Sequence, residues 1–219
     1  MFKKKPFFIV FEGIEGSGKS YQSKRLYKKL KQKKLPVILT REPGGSKTAE
    51  KIREVILDDY FHKNSDQQFD KNTDTLLYLA ARNEHLINII LPALKKKKIV
   101  ICDRFIDSTF AYQIYGKSVS RELVNNIHKH ILGKIRPDLT ILLTVKISKA
   151  LSRLKKRKKK NRYDKFSKNF YIKAQNSFIK LSKKNKKKYL VLDSSIDNKK
   201  IEIKIFETIF KKVTRLYGR

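Results

Sequence analysis

The stretch Gly13-Ile14-Glu15-Gly16-Ser17-Gly18-Lys19-Ser20 decides the fold. It fits G-x-x-x-x-G-K-[ST], the spacing of a phosphate-cradling loop. Its glycines let the backbone turn so that successive N–H groups and a helix N-terminus point at phosphate oxygens. Lys19 adds a mobile positive charge, and the Ser20 hydroxyl can ligate Mg²⁺. An apolar run, Phe7 to Phe11, precedes the loop, and helical spacing from Lys19 to Lys33 follows it. A chance glycine-rich turn would not fill every motif position between a strand and a helix.

Working outward, the apolar runs are short and alternate with longer segments of helical period, as in βα units around a parallel sheet. Strands are expected at Phe7–Phe11, Pro36–Thr40, Ile99–Cys102, Leu139–Val145 and Tyr189–Leu192. Helices are expected at Lys19–Lys33, Ser46–Asp58, Thr73–Leu94, Ser120–Leu132, Ser148–Lys158, Asn169–Lys184 and Asn198–Lys211. The fold class is therefore α/β, with five parallel strands covered by helices on both faces. Gly44-Gly45, Gly133, Pro137 and the lysine run Lys95–Lys98 punctuate the pattern.

The chain has 219 residues, 40% of them hydrophobic, which is enough for one sizeable core and too short for two ordinary domains. One domain spanning 1–219 is expected. Lys plus Arg number 54 against 20 Asp plus Glu, a formal charge of +34, which first suggests a polyanionic partner. No recognition-helix motif, RNP-type aromatic pattern or segregated basic domain accompanies that charge, so no specific nucleic acid is expected. The only cysteine, Cys102, excludes an internal disulfide and reads as a small core residue. Glu12 interrupts the first apolar run too early for a signal core or membrane span. A cytoplasmic protein without a membrane partner is expected.

A phosphate loop serves GTPases, ATPases and small-molecule kinases alike. No N-K-x-D base-reading motif is present, which counts against a GTPase. Ile99-Val100-Ile101-Cys102-Asp103 supplies a strand ending in a carboxylate, but Arg104 follows at once, an arrangement suited to both Mg²⁺ and a second anionic substrate. Further clusters fall at the C-terminal sheet edge, where open α/β sheets bind ligands. They are Thr40-Arg41-Glu42-Pro43-Gly44-Gly45-Ser46 and Asp103-Arg104 through Ala111-Tyr112-Gln113. Tyr78 and Arg82, four apart, pair a flat ring with a planar fork on one helix face.

Together with Leu76-Leu77-Tyr78-Leu79-Ala80-Ala81-Arg82 and Arg136-Pro137-Asp138-Leu139-Thr140, these clusters resemble the thymidylate kinase family from Phe8 to about Tyr171. The resemblance implies a P-loop NTPase fold of the nucleoside monophosphate kinase kind, transfer from ATP to dTMP, and Mg²⁺ held by Ser20 and Asp103. It places Glu15 near the acceptor 3′-hydroxyl, Arg41 and Arg104 on the acceptor phosphate, Tyr78 stacked on thymine, and Arg82 on its edge. Ser108 and Gln113 match polar positions near the base, and Tyr112 would line the deoxyribose. The catalytic set is Lys19, Arg104, Arg153 and Glu15. Purely structural alternatives stay open: Tyr78 or Tyr112 as core, Arg82 as helix surface, Ser108 as a helix N-cap.

The resemblance also implies a mobile lid around 153–164, with Arg153, Lys155, Arg157 and Arg162 as candidates to close over the transferring group. The lid must supply the charge, because Gly16 stands where other members carry a phosphate-loop arginine; Arg153 leads, because it sits in the helical segment rather than in the lysine run. Thr144 and Asn161 depart from family acids, as does Asp164 from a family glutamate. A homodimer packed through helices is a further expectation. The competing functions are a kinase for another nucleoside monophosphate or a deoxynucleoside, and a basic nucleic-acid-binding protein on a nucleotide fold. None of His62, His85, His128 and His130 has a metal-ligand spacing.

Overall fold

The computed structural model describes residues 5–57, 69–157, 162–195 and 198–217. Five parallel strands form one sheet in the order β2-β3-β1-β4-β5. They are β1 (Phe7–Glu12), β2 (Val37–Arg41), β3 (Ile99–Asp103), β4 (Leu139–Thr144) and β5 (Tyr189–Asp193). Each lies within a residue of its expected bounds. β1 sits centrally, with Phe7 to Phe11 paired to Ile99 to Asp103 on one side and Ile9 to Glu12 paired to Leu139 to Leu142 on the other. The phosphate loop therefore leaves the middle of the sheet, next to the ends of β3 and β4.

Strand alternation divides the core. Phe7, Ile9 and Phe11 pack with Ile99, Ile101, Ile141 and Leu143 against α1 (Lys19–Gln32) and α10 (Asn198–Tyr217). Phe8 and Val10 face the opposite way, with Val100 and Cys102, onto Leu86, Ile90, Phe105 and Leu132. Period-two alternation of wholly apolar strands, with a helix on each face, is what a parallel sheet requires. Cys102 is buried and its thiol is raised well above the usual range, first by burial, so it packs as a core residue.

The helices differ from expectation in informative places. The third helix, α3 (Lys71–His85), starts two residues early because Asp70 caps it, its side chain accepting from Asn72 N at 2.7 Å. Its continuation is a π-helical turn, Leu86–Ile90, leading into α4 (Leu91–Lys95). Pro92 sits in the first turn of α4, where its missing N–H is tolerated, and the wider turn ahead of it absorbs the break. A helical stretch that the sequence reading treated only as a site cluster runs through α5 (Ile106–Thr109), a second π turn (Phe110–Ile114) and α6 (Tyr115–Lys117). α10 continues six residues past Lys211, because Val213 and Tyr217 extend the buried stripe of Ile201, Ile205 and Ile209.

The remaining helices are α2 (Lys47–Leu57), α7 (Arg121–Leu132), α8 (Ile147–Lys155) and α9 (Lys168–Lys184), with a 3₁₀ turn at Arg162–Lys165. α9 and α8 bury Tyr171, Ala174, Phe178, Ala150 and Leu154 against Ile14 and Tyr112. That cluster ties α8 and α9 to the phosphate loop and to the helical stretch after β3. Asp58, His62, Lys158 and Asn161, named in the sequence reading, lie outside the described residues.

Candidate active site

The loops leaving β1, β2 and β3 enclose a cavity of about 370 Å³ with α3, α5 and α8 around it. At its floor the phosphate loop takes positive φ at Gly13, Gly16 and Gly18, so its amides turn inward. Gly18 occupies the N-cap position of α1 without a capping side chain, which leaves the helix N-terminus open to an anion. Lys19 is 5% exposed and its Nζ donates to Ile14 O at 2.7 Å. Burial first, then Arg104, lowers its ammonium to about 8.

Ser20 Oγ donates to Asp103 Oδ2, while Asp103 Oδ1 is buried without a partner among the described residues. An orphaned carboxylate oxygen beside a hydroxyl is a hard-oxygen donor pair suited to Mg²⁺, which takes one or two protein ligands and completes its shell with water and phosphate. No group of three or more His, Cys, Asp or Glu among the described residues could hold a metal by itself.

Arg104 anchors the next layer. Its φ of 74 is unusual for a residue with a side chain, and its N–H donates to Phe11 O at 2.9 Å. Its guanidinium donates to Gly13 O at 3.1 Å, Ser108 Oγ at 3.0 Å and Glu15 Oε1 at 2.7 Å, and lies over the Tyr112 ring. Tyr112 donates its hydroxyl to Glu15 Oε2, so both oxygens of Glu15 are engaged. Burial opposes the Arg104 charge, but Glu15, Tyr112 and Asp103 outweigh it and hold the group firmly protonated. Glu15, Arg104 and Tyr112 thus form one hydrogen-bonded unit on the cavity wall.

The buried Glu12 accounts for the turn after β3. Its Oε1 accepts from Phe105 N at 2.9 Å and Ser108 N at 3.2 Å, and its Oε2 bonds Ser108 Oγ at 2.7 Å. The N-cap alternative for Ser108 falls away, because Ser108 lies inside α5 and Phe105 holds the cap position. The Glu12 carboxyl, from the neighbouring strand, accepts from the amides of the turn instead. Burial, and then Asp107, push the Glu12 carboxyl up to about 8.

Another wall of the cavity is built around Arg82, which is 3% exposed and not a helix-surface residue. Its Nε donates to Glu42 Oε2 at 2.8 Å. His85 Nδ1 donates to the other Glu42 oxygen at 3.1 Å, and its Nε2 meets Thr40 Oγ1 at 2.6 Å. Burial alone would raise the Glu42 carboxyl, but Arg82 and His85 hold it below the usual range. Tyr78 borders the cavity edge-on to the Tyr163 ring, with centroids 6.1 Å apart. Gln113 lines the cavity at 2% exposure, and its Nε2 is buried without a partner among the described residues.

Arg41 reaches the cavity from β2, paired with Glu50 at 2.8 Å and half exposed. Sequence reading missed Arg53, which donates to Pro43 O at 2.6 Å and lines the cavity beside Arg41. Burial first, and then Arg41, lower its basicity. One of several charges on a helix, it carries no motif, and only the fold of the turn before α2 brings it inward.

Across the phosphate loop, Arg153 donates from Nη1 to Gly16 O at 2.8 Å and from Nη2 to Ser194 O at 3.0 Å. A Cβ at Gly16 would come within 2.7 Å of Ala150 O, so α8 occupies the space that a side chain there would need. Arg157 lines the cavity and donates to both oxygens of Asp164 at 3.0 and 3.2 Å. Lys155 is exposed at the end of α8, and Arg162 opens the 3₁₀ turn. Thr144, the other departure, donates its hydroxyl to Leu192 O at 3.3 Å and tightens β4 on β5.

The family model described as Thymidylate kinase matches residues 11–205. The chain is 38% identical over 208 residues to the thymidylate kinase of Mycoplasma capricolum subsp. capricolum, covering 94% of this chain and 95% of the relative. It is 42% identical over 209 residues to that of Wolbachia pipientis subsp. Culex pipiens, covering 94% and 96%. The crystal structure of thymidylate kinase from Ehrlichia chaffeensis superposes with a TM-score of 0.74 at 32% identity, covering 94% of this chain and 98% of that one.

Proposed function

The chain belongs to the thymidylate kinase family, and on that footing we infer that it transfers the γ-phosphoryl group of ATP to dTMP, giving ADP and dTDP, a step in dTTP synthesis. The observation that carries this reading is the arrangement of the cavity: a phosphate loop and helix N-terminus at one end, a ring and two polar side chains at the other, and arginines between them. Two polyanions must be brought together there, and fixed positive charge is what permits it.

In the proposed mechanism the phosphate-loop amides and Lys19 hold the β- and γ-phosphates of ATP, with Arg153 closing from the Gly16 side. Arg41, Arg53 and Arg104 orient the dTMP phosphate so that one of its oxygens attacks the γ-phosphorus in line. The bond to the β,γ-bridging oxygen breaks and ADP departs; the protein supplies positioning and charge with no covalent intermediate. Ser20 and Asp103 would hold Mg²⁺, which neutralises developing phosphate charge when bound. Glu15, fixed by Arg104 and Tyr112, offers an acceptor to the sugar 3′-hydroxyl. Tyr78 gives the thymine ring a face, while Arg82 offers a donor, and Gln113 a polar amide, to the edge of the base.

We read the lid as residues 153–164 of a single domain, the assembly as a homodimer and the setting as the cytoplasm. No helix among the described residues is long and apolar enough to cross a membrane. The direct test is product identity: with ATP, Mg²⁺ and dTMP, anion-exchange chromatography should show dTDP and ADP in equal amounts. ADP without dTDP would contradict the reading.

A further inference from the structure

We infer that His128 is a positioning residue for recognition of the acceptor base, holding the Arg82 guanidinium so that a single N–H of that group is left for the substrate. The inference rests on the dTMP kinase reading above. Arginine carries five N–H donors and no acceptor. In Arg82, Nε bonds Glu42 Oε2 at 2.8 Å, Nη1 bonds both Thr109 Oγ1 and His128 Nε2 at 2.7 Å, and Nη2 bonds Phe105 O at 2.8 Å. Four donors are thus committed to the protein, and the fifth, on Nη2, remains for the cavity that Arg82 lines.

Because Arg82 can only donate, His128 Nε2 must accept, which fixes the imidazole as neutral with its proton on Nδ1. A proton on Nε2 would set two donors against each other 2.7 Å apart in a buried site. The four partners come from separate parts of the chain: the turn after β2, the cap and last residue of α5, and α7. His128 is the member contributed by a helix that otherwise stays away from the cavity. The remaining Arg82 N–H is a donor only, so at that point the site selects a base edge with a carbonyl acceptor over one carrying an amino group. Without the His128 acceptor, a buried Nη1–H loses its partner, and the fork is held by three bonds in place of four.

The test is steady-state kinetics of His128→Phe and His128→Gln in the full chain. His128→Phe keeps the ring shape without an acceptor, and His128→Gln restores one through Oε1, the atom that reaches the Nε2 position. His128→Phe is expected to raise KM for dTMP about tenfold, leaving kcat and KM for ATP within about threefold, while His128→Gln stays near wild type. An unchanged KM for dTMP in His128→Phe, or equal impairment of both variants, would overturn the inference. Should His128→Phe fail to fold, ¹⁵N NMR of the wild-type protein at pH 7 decides, the His128 signals being assigned by their loss in His128→Gln. A neutral ring with its proton on Nδ1 is expected; a proton on Nε2, or on both nitrogens, overturns it. Absence of any dTMP turnover by the wild type would instead refute the function reading, and the NMR result would still decide the contact.

Discussion

At the residue scale, the eight positions from Gly13 to Ser20 are readable from sequence because their chemistry depends on type and spacing alone. Glu12 is not, since in sequence it merely ends an apolar run, and its partners Phe105 and Ser108 lie about ninety residues away. Its carboxyl, raised from 4.5 to about 8, contributes stability that is full below pH 4.5 and is lost as pH rises through 8. Wild-type Tm should therefore fall by about 4 °C or more between pH 5 and 8, relative to Glu12→Gln, which keeps an acceptor at Oε1 and stays uncharged. Parallel Tm profiles for the two proteins would contradict this. Gly16→Ala should lower kcat at least about tenfold, because φ is positive there and the new Cβ meets the Ala150 carbonyl; activity within twofold of wild type would show that α8 yields easily.

At the element scale, the five strands were legible to within a residue because a wholly buried parallel strand is a short unbroken apolar run. The π turns at Leu86–Ile90 and Phe110–Ile114 were not, since one wide turn leaves no periodic trace in the side-chain pattern. The second matters for function, as it sets the orientations of Tyr112 and Gln113 on the cavity wall. α8 carries the lid prediction, and the family resemblance pointed to Arg153 without its contact to Gly16 O. Arg153→Ala should lower kcat about a hundredfold and leave KM for dTMP within about threefold, as expected for charge felt mainly in the transition state. A kcat within twofold of wild type would remove Arg153 from the mechanism.

At the scale of the whole molecule, the +34 charge resolves into a few assigned groups, Lys19, Arg41, Arg53, Arg82, Arg104, Arg153 and Arg157, and a large surface majority. That majority should give only weak duplex DNA binding, lost by about 150 mM salt in a fluorescence anisotropy titration. Binding that persists at that salt would favour the nucleic-acid reading. Leu76 and Ile87 are about half exposed on α3 and the turn that follows it, and their apolar surface supports the homodimer proposal. Sedimentation should give about twice the 25.8 kDa chain mass, and Leu76→Glu with Ile87→Glu should give the chain mass itself. The central claim, transfer from ATP to dTMP, is tested most directly by kcat/KM for dTMP, dUMP, CMP, AMP, GMP and thymidine in a coupled ADP assay. The account predicts dTMP first and a weaker dUMP activity, since one methyl group discriminates by only about 1–3 kcal/mol. A higher kcat/KM for any other acceptor would contradict it.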